Sequence, residues 1–167
     1  MHIQFYKYQG AGNDFILIDG RKDGLKKLDK KYVAQLCDRR FGIGADGLMF
    51  LLDNPDYDFE MAYYNADGNI GSMCGNGGRC MVAFARHLGL FDTETDFLAV
   101  DGPHYAKVSE KENWIELQMI DVDTLDTDAE ALVLNTGSPH YVKEVEGLEK
   151  LDVYTEGYRI RNNETYK

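Results

Sequence analysis

The sequence predicts an α+β fold for this chain of 167 residues. Two observations lead to that class: short segments that read as strands recur along the chain, and only two segments show helical periodicity. The hydrophobic content of 44% is enough to form a packed core. A chain of this length can hold one ordinary domain or two small ones.

The strand segments fall into two groups along the chain. The first group is IQFYKYQ, FILID, LMFLL, FEMAYYN, FLAV, YAKVS and WIELQM. An acidic, weakly patterned segment, DVDTLDTDAEA, follows it, and we place a domain boundary there, with domains at 1–120 and 121–167. Three further short segments, LVLNTG, SPHYVKEV and YRIRN, lie beyond the boundary. The pattern predicts many short strands and two main helices.

The first helix is predicted over DKKYVAQLCDRRFG, with Asp29 as N-cap and Gly42 as C-cap. The residues that share its apolar face are Val33, Leu36, Cys37 and Arg40. The second helix is predicted from about Asn76 to Gly89. The residues at helical spacing on its one buried face are Cys80, Ala83, Phe84, His87 and Leu88.

Charge and composition exclude several classes of protein. The formal net charge is −11, and no basic run could grip the phosphates of a nucleic acid or an anionic membrane. The N-terminal segment is too polar for a signal peptide, and no apolar run approaches the roughly 20 residues of a membrane span. Three cysteines make an odd number, and their spacings match no common zinc site. We therefore expect a reduced, cytoplasmic setting.

Cys74 lies in the stretch GNIGSMCGNGGRC, just before the second helix. The free N–H groups and the positive dipole end of that helix favour a thiolate, which is the reactive form. The glycines at 75, 77 and 78 would let a ligand carboxylate approach the backbone. Local chemistry leaves two interpretations open: a reactive thiol beside a carboxylate pocket, or a tight turn with an incidental cysteine. Cys37 and Cys80 are predicted to be buried core residues.

Two asparagines lie in other polar loops, Asn13 in GAGND and Asn65 in YYNADG. A neutral amide can donate to a carboxylate and accept from an ammonium group, so the two suit an amino-acid ligand. The alternative for each is a turn residue that satisfies its own backbone. Together with the thiol, these loops favour an amino-acid pocket.

Five motifs, YQGAGNDFILID, DRRFGIGADG, YYNADG, MCGNGGRC and TGSPHYV, occur in this order. With them the chain resembles the diaminopimelate epimerase family over essentially its whole length. The resemblance implies a mixed, mostly antiparallel sheet wrapped around a central helix, and a second, similar domain that is incomplete here. It also implies an isomerase of lysine biosynthesis that needs no cofactor and acts on a small molecule, diaminopimelate, in a cleft between two domains.

The resemblance carries residue roles. Cys74 corresponds to one of two catalytic thiols, and His140 to a histidine that influences activity. The residues at substrate-binding positions are Asn13, Asn65, Gly75, Asn76 and, more weakly, Ser138, which stands where many members have asparagine. Gly47 stands where many members have a substrate-contacting glutamine, so we expect water or backbone to replace that contact.

Members of the family continue for roughly a hundred residues beyond the end of this chain, about the size of a second domain. That part carries the second catalytic cysteine. We therefore expect this chain to be a fragment that is inactive alone, and the parent to be an epimerase and possibly a homodimer. One thiol on one face of the α-carbon can exchange a proton but cannot efficiently invert the centre.

Other classes of function stay open on the sequence alone. A proline-racemase-like isomerase of the same superfamily is one, and a non-catalytic amino-acid-binding or oligomerisation fragment is another. A thiol redox protein would need a resolving cysteine near Cys74, and Cys80 is poorly placed on the same helix. A metal protein is disfavoured because the four histidines show no ligand spacing with the cysteines.

Overall fold

A computed structural model describes residues 3–21, 28–109 and 114–167. Within these ranges, seven strands form one sheet: β1 (Tyr6–Gly10), β2 (Asn13–Asp19), β3 (Gly47–Leu52), β4 (Phe59–Asn65), β5 (Glu94–Ala99), β6 (Gly102–Val108) and β7 (Ile115–Leu117). A second sheet contains β8 (Asp126–Asp128), β9 (Ala131–Asn135) and β10 (Pro139–Lys143). The helices are α1 (Lys30–Cys37), α2 (Gly75–His87) and α3 (Val153–Arg161), with a short 3₁₀ turn at Leu148–Lys150.

The larger sheet keeps its strands in chain order from β1 to β7. The pairs β2/β3 and β4/β5 are parallel, and the other neighbouring pairs are antiparallel. Each parallel pair is joined through a helix, α1 in the first case and α2 in the second, as a crossover requires. Because α2 contacts both edge strands, β1 and β7, the sheet curls around it. The predicted α+β class, with a mostly antiparallel sheet around a central helix, is confirmed.

The neighbouring strands β2 and β3 are buried on both faces. In β2, Phe15 and Leu17 pack towards α2, while Ile16 and Ile18 pack with residues of α1. The same alternation places Met49 towards α2 in the neighbouring strand β3. Burial on both faces explains why these strands are nearly continuous apolar runs in the sequence.

The first helix begins as predicted but ends earlier. Asp29 is its N-cap and accepts a hydrogen bond from Lys31 N at 2.9 Å. The helix ends at Cys37 rather than at Gly42. The Asp38 carboxylate accepts hydrogen bonds from the backbone N–H groups of Arg40 and Phe41, and these bonds turn the chain out of the helix. Gly42 lies so close to the end of α1 that a Cβ there would be 2.0 Å from a backbone carbonyl oxygen. Arg40 therefore lies outside the helix.

The central helix, α2, is buried on more than the one face that the sequence predicts. Cys80 and Phe84 are buried as predicted, but Met81, Val82 and Ala85 are buried too, because the curled sheet covers several sides of the helix. His87 is exposed, which corrects its predicted place on the buried face. The helix ends at His87, and Gly89 follows with a positive φ of 76°.

The C-terminal part contains a helix that the sequence pattern did not reveal. The segment YRIR belongs to α3, so the prediction of two main helices is wrong for the described residues. Asp152 caps α3 by accepting from the backbone N–H of Thr155 at 3.1 Å and from its hydroxyl at 2.7 Å. Tyr154 and Tyr158 on this helix are 81% and 63% exposed, so much of its aromatic surface is uncovered.

The larger sheet ends at Leu117 and the second sheet begins at Asp126. The division into domains 1–120 and 121–167 stays a prediction. None of the helices in the described ranges is both long and apolar enough to cross a membrane.

Candidate active site

The sheet brings three of the predicted residues to one end. Asn13 begins β2, Gly47 begins β3, and Asn65 ends β4 opposite Gly47. Since β2 and β3 run parallel and β4 runs antiparallel to β3, these positions lie side by side. The N-terminus of α2 reaches the same end, where Cys74 Sγ lies 3.6 Å from Asn13 Oδ1.

Cys74 is the N-cap of α2. It has an extended backbone conformation, and its Sγ accepts a hydrogen bond from Gly77 N at 3.4 Å. Its carbonyl oxygen accepts the first helical bond, from Gly78 N at 2.7 Å. Cys74 is half-buried, and its sulfur lies beside a backbone N–H at the positive end of the helix, an environment that favours negative charge.

The glycines of this helix have different roles. A Cβ at Gly77 would be 2.3 Å from the methyl of Met49, and one at Gly78 would be 2.7 Å from a methyl of Leu117. Both glycines are buried, so the interpretation that they clear space for a ligand is wrong: they let α2 pack closely against the sheet. Gly75 has space around it, with Arg79 as the nearest side chain at 3.5 Å from a Cβ placed there.

Asn76 lies in the first turn of α2, where backbone N–H groups have no partner within the helix. Its side-chain oxygen accepts a hydrogen bond from the guanidinium of Arg79. The N–H groups of Gly75 and Asn76 are therefore the backbone donors nearest to Cys74 that an anionic ligand could use.

A charged cluster that sequence reasoning missed supports Asn13. Asn13 Nδ2 donates to Asp46 Oδ2 at 2.7 Å, and Arg39 Nη2 donates to Asp46 Oδ1 at 2.8 Å. Arg39 also bonds Asp14 at 2.7 Å, as does Lys7. The hydrogen bond from Arg39 holds the pKa of Asp14 well below its usual range, and the amide of Asn13 lowers the pKa of Asp46. The signal was the charged residues of DRRFGIGADG, in which Arg39 precedes the first glycine and Asp46 lies between the last two.

A second residue that the sequence did not indicate is Tyr63. Its ring lies against two glycines, because a Cβ at Gly47 would be 2.5 Å from the ring and a Cβ at Gly71 would be 2.3 Å from it. Tyr63 therefore occupies the space beside Gly47. The expectation that water or backbone replaces the missing glutamine contact with the substrate stays a prediction. Burial, and then the proximity of Cys74, raises the pKa of Tyr63 to about 12, so the phenol is neutral near pH 7.

Ser138 approaches the Cys74 loop from the second sheet. Its Oγ donates to Met73 O at 3.1 Å and bonds the hydroxyl of Ser72. The backbone of Gly137, which has a φ of 96°, accepts from Met73 N at 3.3 Å. The loop that carries Ser138 therefore lies beside the residues that precede the thiol, as a role near the site requires.

His140 lies in β10, two residues beyond Ser138, and its contacts are with residues of the second sheet and of the C-terminal segment. Its Nε2 is 2.9 Å from Thr136 Oγ1, and its ring lines a cavity of about 420 Å³ together with Tyr141, Arg161 and Tyr166. The influence of His140 on activity stays a prediction.

The other two cysteines are core residues, as predicted. All three thiols are free, and Cys37 and Cys80 are 3% and 4% exposed. Burial raises the pKa of each to about 11. They pack on opposite faces of the larger sheet, so neither is available as an acid or base beside Cys74. In the described ranges, no cluster of three or more His, Cys, Asp or Glu side chains could hold a metal ion.

Solved structures with this fold are distant in sequence. A hydroxyproline epimerase from Agrobacterium vitis superposes with a TM-score of 0.65 at 12% identity, over 89% of this chain and 53% of that one. A phenazine biosynthesis protein of the PhzF family from Bacillus anthracis superposes with a TM-score of 0.60 at 16% identity, over 86% and 57%. The curled sheet around α2 is thus a fold that this chain shares with these two proteins.

The chain belongs to the diaminopimelate epimerase family, whose model matches residues 5–124. It is 48% identical to a diaminopimelate epimerase from Flavobacterium psychrophilum over 98% of this chain and 64% of the relative. Relatives of the same name from Chlorobaculum tepidum and Aquifex aeolicus are 45% and 36% identical. The chain spans 62 to 65% of the length of these three relatives.

Proposed function

We propose that this chain is the part of a diaminopimelate epimerase that carries one of its two acid–base thiols. The observation that carries the proposal is the position of Cys74: it caps α2, accepts from Gly77 N at 3.4 Å, and lies 3.6 Å from the amide of Asn13. The parent would convert LL-diaminopimelate to the meso isomer, a precursor for lysine and for peptidoglycan, without a cofactor.

The chemistry needs a base on one face of the α-carbon and an acid on the other. The thiolate of Cys74 would remove the α-proton and become a thiol, while the electron pair is delocalised into the substrate carboxylate. A second thiol would donate its proton to the opposite face and become the thiolate. The N–H groups at the start of α2 suit the charge that develops on the carboxylate.

The second thiol has to come from outside these residues. Cys37 and Cys80 are buried, and Cys80 lies on the same helix as the cap. Since the relatives are longer than this chain, we propose that the remaining part of the parent supplies the second thiol, in a second domain that begins near residue 121, and that the 167-residue chain alone is inactive.

The substrate-binding roles belong to the same proposal. Asn13, Asn65, Gly75 and Asn76 would bind the substrate, Ser138 would do so more weakly, and His140 would have a supporting role in catalysis. Asn13 and Asn65 are supported by their place at the sheet end near Cys74. The parent would act in the cytoplasm, where thiols stay reduced, and form a homodimer.

The test is isomerisation in deuterated water. The 167-residue chain and its longer parent are each incubated with LL-diaminopimelate, the isomers are separated by chiral chromatography, and deuterium at the α-carbon is measured by mass spectrometry. We expect meso product with the parent, none with the 167-residue chain, and loss of product with the Cys74→Ser parent. Product from the 167-residue chain would refute its inactivity.

Hydroxyproline and proline serve as competing substrates in the same assay. Their inversion by the parent, with diaminopimelate unchanged, would contradict the proposed substrate and favour another isomerase of the superfamily. Binding of diaminopimelate without turnover by the parent, unaffected by Cys74→Ala, would instead indicate a binding protein.

A further inference from the structure

We propose that Asp46 is a positioning residue that acts on Cys74 through the side-chain amide of Asn13. The importance of this effect for turnover rests on the proposed function. The positioning itself is a property of the chain, and it can be measured on the thiol without any substrate.

The orientation of the Asn13 amide follows from what Asp46 can accept. A carboxylate is an acceptor only, and its depressed pKa keeps Asp46 ionised. Asp46 Oδ2 accepts a hydrogen bond from the amide nitrogen of Asn13 at 2.7 Å and one from the backbone N–H of Asp14 at 3.2 Å. The amide oxygen of Asn13 must therefore point the other way, towards Cys74 Sγ at 3.6 Å.

The consequence for Cys74 is a balance between two opposed contacts. A carbonyl oxygen accepts from S–H but repels a thiolate, so Asn13 Oδ1 favours the thiol and directs its proton. The N–H of Gly77, 3.4 Å from the same sulfur, favours the thiolate. An acid–base thiol must pass between both forms, and Asp46 fixes the contact that stabilises the protonated one.

The charged residues around Asp46 indicate that it acts on Cys74 by orienting the Asn13 amide, and not by the direct effect of its own charge. Asp46 and Asp14 are neutralised locally by Arg39 and Lys7, which bond them at 2.7 to 2.8 Å. Tyr63 and Cys80 interact with Cys74 and are neutral near pH 7, because the pKa of Tyr63 is raised to about 12 and that of Cys80 to about 11. Arg39 also holds the carboxylate of Asp46 in place through Oδ1.

The decisive variant is Asp46→Asn. The single oxygen of the new amide is expected to accept from Arg39, which leaves its NH₂ group facing Asn13. Two NH₂ groups cannot bond each other, so Asn13 should turn and present its own NH₂ to Cys74. That donor stabilises the thiolate, and the pH profile of Cys74 alkylation should move to lower pH.

The experiment measures the rate of alkylation of Cys74 by iodoacetamide from about pH 5 to 9, with peptide mapping by mass spectrometry. At about pH 6.5 we expect Asp46→Asn to react about threefold faster or more, as expected for the gain of a hydrogen bond to a charged group. Asp92→Asn, which removes an equal charge at an exposed position between α2 and β5, is the matched control and should leave the rate unchanged.

A double-mutant cycle separates positioning from charge. In an Asn13→Ala background, Asp46→Asn should have no effect on the profile, because the amide that transmits it is gone. An equal effect in both backgrounds, or no effect in the unmodified background, would overturn the proposal.

A measurement on the unmodified chain guards against misfolding of the variants. The side-chain NH₂ protons of Asn13 should exchange with solvent more slowly in NMR than those of an asparagine in an unfolded peptide. Equal exchange rates would overturn the proposed hold of Asp46 on the Asn13 amide. Because neither experiment uses substrate, a failed isomerisation assay would leave this inference intact.

Discussion

The sulfur of Cys74 accepts the backbone N–H of Gly77 at 3.4 Å, so one side chain both caps α2 and carries the proposed chemistry. Substitutions of Cys74 can separate the capping role from the chemical role. Serine is among the best N-cap residues and alanine among the poorest, whereas neither has a thiol.

We therefore expect Cys74→Ser to keep the free energy of unfolding within about 0.5 kcal/mol of the unmodified chain, and Cys74→Ala to lower it by about 1 kcal/mol. Urea unfolding followed by circular dichroism measures both. Equal stability of the two variants would show that the Cys74 side chain contributes nothing as a cap.

The three thiols should differ in reactivity. Cys74 is half-buried and lies at a helix N-terminus, whereas burial raises the pKa of Cys37 and Cys80 to about 11. Intact-mass analysis after brief treatment with iodoacetamide near pH 7.5 should show one label, mapped to Cys74, and three only after denaturation. Early labelling of Cys80 would contradict the packing of α2 against the sheet.

The glycines of α2 make a matched pair for a packing test. Gly77→Ala places a methyl group against Met49, so it should lower the free energy of unfolding by about 1 to 3 kcal/mol. Gly75→Ala enters open space, and it should be neutral or slightly stabilising because it restricts the unfolded chain. Equal effects in thermal and urea unfolding would refute the close approach at Gly77.

A buried hydrogen bond between His104 and Asp101 should matter for stability. His104 Nε2 is 2.9 Å from Asp101 Oδ1, its Nδ1 is 2.9 Å from the Gln118 carbonyl, and its side chain is fully buried. His104→Ala would leave the Asp101 carboxylate without this hydrogen-bond donor and is expected to cost about 1 to 3 kcal/mol. His87→Ala, at an exposed position, is the control and should cost less than about 0.5 kcal/mol. A small loss for His104→Ala would contradict the packing around Asp101.

The charged cluster below Asn13 predicts a loss of stability in acid. The pKa of Asp14 is depressed in the folded chain, mainly by Arg39, so its ion pairs contribute above the unfolded pKa of about 3.9. That contribution is lost as the pH falls through the lower, folded value. The free energy of unfolding should therefore change less between pH 7 and about pH 2.5 in Asp14→Asn than in the unmodified chain. Asp92→Asn, at an exposed position, should keep the full pH dependence, and an identical slope for Asp14→Asn would contradict the prediction.

Much of the fold and part of the site followed from local patterns in the sequence. Alternation and continuous apolar runs predicted β1 to β7, and Asp29, as an N-cap candidate before a helical pattern, marked the start of α1. Glycines around a cysteine before an amphipathic segment placed Cys74 at a helix N-terminus. These features depend on neighbours along the chain, which a sequence displays directly.

Other features depended on which strands become neighbours in space. Asp46 is 33 residues from Asn13, and their hydrogen bond exists because β2 and β3 run parallel from the same end of the sheet. The roles of Gly77 and Tyr63 likewise came from residues that the curled sheet brings against them. The sequence by itself determined the α+β class, the capping position of Cys74 and the core roles of Cys37 and Cys80. The tertiary structure alone decided how the thiol is oriented, because hydrogen bonds between distant segments form only when the sheet closes around α2.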